Sequence, residues 1–186
     1  MSAKKILFPF LCLLFFIPPA HAGYKGTLKK WTREAIRYRS EDLSAILKVK
    51  ATLLSDSMLK AQAARNAKVY GLSPSEKEVV LEELLRKRGD AVLFFISFYS
   101  ADRKYDDLSN PRSGWELRLE SPSGKFAPDH FEKINKISPM ETMYYPYLDL
   151  WSKGYFAWFP PEAATSSSPW VLSIRGPSAR ASLTWK

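Results

Sequence analysis

The sequence predicts an α+β protein, a mainly antiparallel β-sandwich with an inserted two-helix hairpin, placed behind a cleaved signal peptide; an immunoglobulin-like arrangement falls within this class. Three observations predict it. Apolar and polar residues alternate from Leu43 to Leu54 and in several later short runs, the signature of half-buried strands. Between them lie two helical patterns punctuated by caps. A run apolar on both faces, Ala91 to Tyr99, then marks a central strand covered from two sides.

The chain opens with Lys4-Lys5, an apolar stretch from Ile6 to Ile17, Pro18-Pro19 and the small-residue motif Ala20-His21-Ala22. This is the pattern of an export signal cleaved between Ala22 and Gly23. A spanning helix needs about twenty apolar residues, and this run holds twelve before its two prolines, so no transmembrane anchor is expected after cleavage. Cys12 lies mid-run without the small residue that normally precedes a lipidated cysteine. The expected mature chain, 23–186, is one domain of 164 residues, large enough to bury about 70% of its unfolded surface. Its destination is the periplasm or the exterior. The only cysteine leaves with the leader, which removes disulfides, thiol catalysis and cysteine-held metals from consideration.

Along the mature chain, Lys29 to Arg39 fits either period; a strand ending in Ile36-Arg37-Tyr38 is favoured, with Ser40-Glu41-Asp42 as the turn. Ala45, Leu47, Val49, Ala51 and Leu53 then share one face of a strand. The hairpin covers about 55–88. Ser55 or Asp56 caps its first helix, which carries Met58, Leu59, Ala63, Ala67 and Tyr70 and ends at Gly71. Ser73-Pro74-Ser75-Glu76 has the capping-box form, and the second helix is expected to bury Val80, Leu81, Leu84 and Leu85 before Arg86-Lys87-Arg88 and Gly89. Further strands are expected at Trp115–Glu120, Gly154–Phe159, Trp170–Arg175 and Ala179–Trp185, separated by turns at Asn110-Pro111, near Pro122 and at Ser166-Ser167-Ser168-Pro169. Asp129–Lys136 reads as a short helix. An eight-stranded outer-membrane barrel fits badly, because the strand at Val92–Tyr99 lacks alternation and two capped helices interrupt the series.

The formal net charge of +9 falls to +7 without Lys4 and Lys5. Residues 23–50 hold +5 of it, and Lys29, Lys30, Arg33, Arg37 and Arg39 form a candidate patch for anionic lipids or envelope polymers. No helix-turn-helix, RNA-recognition or zinc pattern points to nucleic acid. The densest unusual feature is the run Tyr144, Tyr145, Tyr147, Trp151, Tyr155, Phe156, Trp158 and Phe159, eight aromatics in sixteen positions. On a strand, Tyr155, Ala157 and Phe159 face one way while Phe156 and Trp158 face the other. One side enters the core, and the other must meet helices, a partner or a ligand. Tyr144, Tyr145, Tyr147, Trp151, Tyr155, Phe156 and Trp158 are therefore the candidate recognition surface.

His130 is the only mature histidine, so a hydrolase built on a serine, a histidine and an acid would have to use it. No Gly-x-Ser-x-Gly elbow accompanies it. The acids Asp102, Asp106 and Asp107 do not match a calcium loop and are neutralised by Arg103, Lys104 and Arg112. No catalytic residue, cofactor or metal site is assigned. The expectation is an exported, non-enzymatic binding or assembly module of a bacterial-type envelope. Its alternatives are an exported hydrolase using His130 and a peripheral binder of anionic envelope polymers or lipids.

Overall fold

The computed structural model describes residues 23–164 and 169–186. The expected leader, including Ala20 and Ala22 of the cleavage motif, lies outside these residues, as do Ser166, Ser167 and Ser168 of the expected serine turn. The elements run α1 (Tyr24–Trp31), β1 (Thr32–Tyr38), β2 (Ala45–Leu53), α2 (Asp56–Tyr70), α3 (Pro74–Arg88), β3 (Val92–Ser100), β4 (Glu116–Ser121), β5 (Gly124–Phe126), β6 (His130–Lys133), α4 (Pro139–Tyr144), β7 (Lys153–Phe159), β8 (Trp170–Arg175) and β9 (Arg180–Trp185). The fold is α+β with two antiparallel sheets, ordered β1-β2-β3-β7-β6 and β5-β4-β8-β9.

The strand periodicity explains how the sheets meet. Leu47, Val49 and Ala51 of β2, Phe94, Ile96 and Phe98 of β3, and Tyr155, Ala157 and Phe159 of β7 share one core with Leu117, Leu119, Leu172, Ile174, Leu183 and Trp185 of the other sheet. Each large side chain there contributes about 1.5–3 kcal/mol by leaving water. β3 is buried on both faces, as its unbroken apolar run requires. Its outward Leu93 and Phe95 join Leu54, Met58, Leu59, Tyr144 and Tyr145 in a second core beneath the helices.

The hairpin caps form as the sequence requires. Ser55 accepts from the Met58 amide, and Gly71 ends α2 with φ 67°. Ser73 and Glu76 make the reciprocal capping box that opens α3. The two helices share the covering unequally. Met58, Leu59, Gln62, Ala63 and Asn66 of α2 are buried, whereas α3 has no fully buried residue; Val80, Leu81, Leu84 and Leu85 are half-covered. α3 is thus the outer member of the layer.

One expectation needs correction, and one ambiguity resolves. Segment 28–39, which fits either period, is helix up to Trp31 and then strand from Thr32 to Tyr38, the end expected for the favoured strand. Asp129–Lys136 is not a helix: His130–Lys133 pairs with β7 as an edge strand, where Phe131 stacks on Tyr155 with centroids 5.2 Å apart. Edge pairing and that aromatic contact outweigh a weak local helical preference. The helix in this region is α4, which begins six residues after β6 ends, and Ser138-Pro139-Met140-Glu141 caps it with the same box as α3.

β1 and β9 bring the two sheets together along one edge without a backbone ladder. Arginine side chains bridge the seam. Arg33 Nε donates to the Thr184 carbonyl at 2.8 Å, and Arg37 Nε donates to the Arg180 carbonyl at 2.9 Å. The four-residue spacing matches because both strands rise equally per residue, and the acceptor number falls as the arginine number rises because they run antiparallel. Trp185 Nε1 closes the end of the seam on the Trp31 carbonyl at 2.8 Å.

Candidate functional site

The aromatic run mostly fastens the layers to one another. Tyr145 stacks on Phe95 with centroids 3.5 Å apart and planes at 5°, and its hydroxyl accepts from Gln62 Nε2 at 2.9 Å. Asn66 donates to the Tyr144 hydroxyl at 2.8 Å, and Tyr24 donates its own hydroxyl to the Tyr144 carbonyl. The Tyr147 hydroxyl lies 2.6 Å from Thr52 Oγ1, which in turn meets Thr32 Oγ1 at 2.7 Å. Burial pushes the phenols of Tyr24, Tyr145 and Tyr147 well above their ordinary value, so these groups act as neutral hydrogen-bonding clamps.

β7 divides as its alternation requires. Tyr155 and Phe159 enter the inner core, while Phe156 and Trp158 turn to the helices. Lys87 Nζ sits 3.9 Å from the centre of the Phe156 ring, and Trp158 Nε1 donates to the Lys87 carbonyl at 3.0 Å. Of the candidate recognition residues, Tyr144, Tyr145 and Tyr155 are buried; Tyr147, Phe156 and Trp158 are half-covered. These six do not form the expected continuous surface. Trp151 alone stands out in solvent, beside Leu150.

The basic candidates also separate. Arg33 and Arg37 are engaged at the β1–β9 seam, and Arg39 pairs with Glu41 and Asp42 of its own turn. Lys29 and Lys30 remain exposed in the last turn of α1. Sequence spacing gave no sign that the arginines serve the seam, because their acceptors lie more than 140 residues away in β9.

The acidic loop is held by internal partners. Lys133 Nζ reaches Asp107 Oδ2 at 2.5 Å, Tyr155 donates to Asp107 Oδ1 at 3.1 Å, and Lys153 pairs with Asp106 at 2.7 Å. Burial works to raise the Asp107 carboxyl, but the bonds from Lys133, Ser109 and Tyr155 overcome it and hold the group well below the usual carboxylate range. Among the described residues no group of three or more histidine, cysteine, aspartate or glutamate side chains could hold a metal ion. His130 is exposed and packs on Trp158 with centroids 4.9 Å apart. No described serine or carboxylate bonds to its ring.

A cavity of about 410 Å³ opens at the end of the two-sheet core where β2 and β9 finish and β3 and β8 begin. Its wall includes Trp31, Trp170, Trp185, Val92, Leu93 and Arg88. Two of the three indoles have acceptors, since Trp31 Nε1 donates to Ser57 Oγ at 2.8 Å and Trp185 Nε1 to the Trp31 carbonyl. The Trp170 Nε1–H is buried without one among the described residues. Arg88 bonds Asp56 at the rim and remains mainly covered. A largely apolar, aromatic-walled space with a few donors suits an amphipathic ligand that brings acceptor groups. Trp31, Trp170 and Trp185 carried no distinguishing sequence signal, being scattered over 155 positions.

Comparison with family models, with curated proteins and with solved structures gives no match for this chain. Among the described residues no helix is long and apolar enough to cross a membrane.

Proposed function

We propose that this chain is an exported, non-enzymatic binding module of a bacterial-type cell envelope, and that the three-tryptophan cavity is where it holds its ligand. The fold class that goes with this reading is a β-sandwich with a helical layer on one face, supported by the core common to both sheets. An immunoglobulin-like topology is disfavoured, because β1, β2 and β3 are consecutive neighbours in one sheet, whereas that fold moves its third strand to the opposite sheet.

The observation that carries the reading is the cavity, whose 410 Å³ falls within the size range of small-molecule sites. Its chemistry favours an acyl or aromatic body against the indoles with an acceptor head at Arg88. A serine–histidine–acid relay gains no support from His130, whose neighbour is an indole.

The test is denaturing extraction and mass spectrometry of the protein purified from its producing cell. A tryptophan-fluorescence titration with the recovered compound, or with a fatty-acid and aromatic-carboxylate panel, follows. Saturable quenching that weakens in Trp170→Phe is expected. Failure of every compound to bind, together with a measurable hydrolytic turnover, would defeat the proposal.

A further inference from the structure

At the end of the molecule opposite the cavity, apolar side chains protrude from two separate loops. The register places the β1–β2 turn, the end of β3 and the start of β7 together there, through the pairs Tyr38↔Ala45, Leu47↔Ser100 and Phe98↔Lys153. Leu43 is 75% exposed at the first tip, and Leu150 and Trp151 are 97% and 75% exposed at the second.

Neither tip is a loose strand of chain. Arg39 and Ser44 close the first turn, whose Leu43 takes φ 55°, a left-handed backbone that disfavours leucine and suits glycine. Asp42 Oδ1 accepts from both the amide and the hydroxyl of Ser44. The second turn is fixed by Asp149, which accepts from the Trp151 and Ser152 amides at 3.0 and 2.8 Å. Its flanks are anchored by buried Tyr145 and Ser152. The chain thus holds three large apolar groups away from any core.

The charge around these tips is sorted. Glu41 and Asp42 share Arg39, Asp106 pairs with Lys153 and Asp107 with Lys133, while Asp102 and Asp149 accept from nearby amides in their own turns and have no ion pair among the described residues. Lys48, Arg103, Lys104 and Lys136 have no ion pair among the described residues and are exposed. Exposed Tyr38 lies at the same end, and Tyr99 packs there under Lys48. Projecting leucine and tryptophan interleaved with unpaired cations match the depth profile of a bilayer surface, where indoles settle at the headgroup level and lysines meet anionic phosphates.

We infer that this end docks on an anionic lipid surface, inserting Leu43, Leu150 and Trp151 into the headgroup region while Lys48, Arg103, Lys104 and Lys136 face the lipid phosphates. A second copy of the chain is the competing occupant that the test separates, as a Trp151-dependent dimer without lipid. The cavity at the far end stays open to its ligand, so docking and ligand binding are separable.

The test compares the purified, natively processed protein with Leu150→Ser/Trp151→Ser and with Leu43→Ser, by co-sedimentation with vesicles of phosphatidylglycerol and phosphatidylcholine or of phosphatidylcholine alone. All three sites are exposed, so thermal unfolding of the variants should match the parent. The parent is expected to bind the anionic vesicles preferentially, to release in high salt, and to lose about tenfold or more in partitioning when Leu150 and Trp151 are replaced. Four results would each overturn the inference: no vesicle binding, equal binding to neutral vesicles, unchanged binding by the double variant, or a Trp151-dependent dimer without lipid association. Binding that belongs to another part of the chain persists in the variants and counts against it.

Discussion

Replacing Tyr145 with phenylalanine isolates one hydroxyl in the second core. The ring stays stacked on Phe95, so apolar packing is preserved, but Gln62 Nε2 loses the acceptor it reaches at 2.9 Å. Gln62 is 1% exposed, and water cannot replace the lost partner cheaply. A buried amide left unsatisfied costs about 1–3 kcal/mol. For a protein of this size each kcal/mol lowers the melting temperature by about 2–4 °C, so Tyr145→Phe should melt about 2–12 °C below the parent. Because burial keeps the Tyr145 phenol neutral, the loss should not depend on pH across the neutral range. Urea unfolding supplies the assay, with a lower midpoint and an unchanged slope expected. Combining the change with Gln62→Leu removes both partners, and the double variant should be more stable than the two single losses added together. A single variant as stable as the parent, or strictly additive losses, would refute the claim that this bond fastens α4 to α2.

Three further outcomes follow from the same contacts. Gly176→Ala should destabilise by about 1–3 kcal/mol in thermal unfolding, because its Cβ would lie 2.1 Å from Cε3 of Trp115, an indole held by a 2.6 Å bond to the Tyr105 carbonyl. Asp107 has a folded-state pKa below its unfolded value, so its stabilising contribution is complete above about pH 4 and is lost as pH falls below it; Asp107→Asn should flatten this acid limb in pH-dependent denaturation. Arg33→Met/Arg37→Met should cost about 1–3 kcal/mol and speed amide exchange along β9, whose Thr184 and Arg180 carbonyls the arginines hold; unchanged exchange would show that the seam does not depend on them.

Local chemistry made much of the helical layer readable. Ser73-Pro74-Ser75-Glu76 specifies a cap within four residues, and Gly71 supplies the left-handed ending that follows α2. The same box at Ser138–Glu141 was equally readable and marks α4. Alternation in Ala45–Leu53 and in Tyr155–Phe159 separated the face buried between the sheets from the face under the helices. The edge strand His130–Lys133 was not readable in this way, since four residues carry little period of their own and owe their form to β7.

Capping and apolar period act over a few residues, which is why the element types and the burial of one face against another were written in the chain's order. Which aromatics stay in solvent is a different kind of property. Tyr145 and Trp151 are six positions apart and alike as large, amphipathic rings, yet one stacks on Phe95 and the other projects from an Asp149 turn. Likewise, Arg33 and Arg37 resemble a patch for anions until β9 brings its carbonyls alongside, and Trp31, Trp170 and Trp185 become a cavity wall only where the two sheets converge. Burial and partnership depend on groups distant in the chain, so packing assigned these roles.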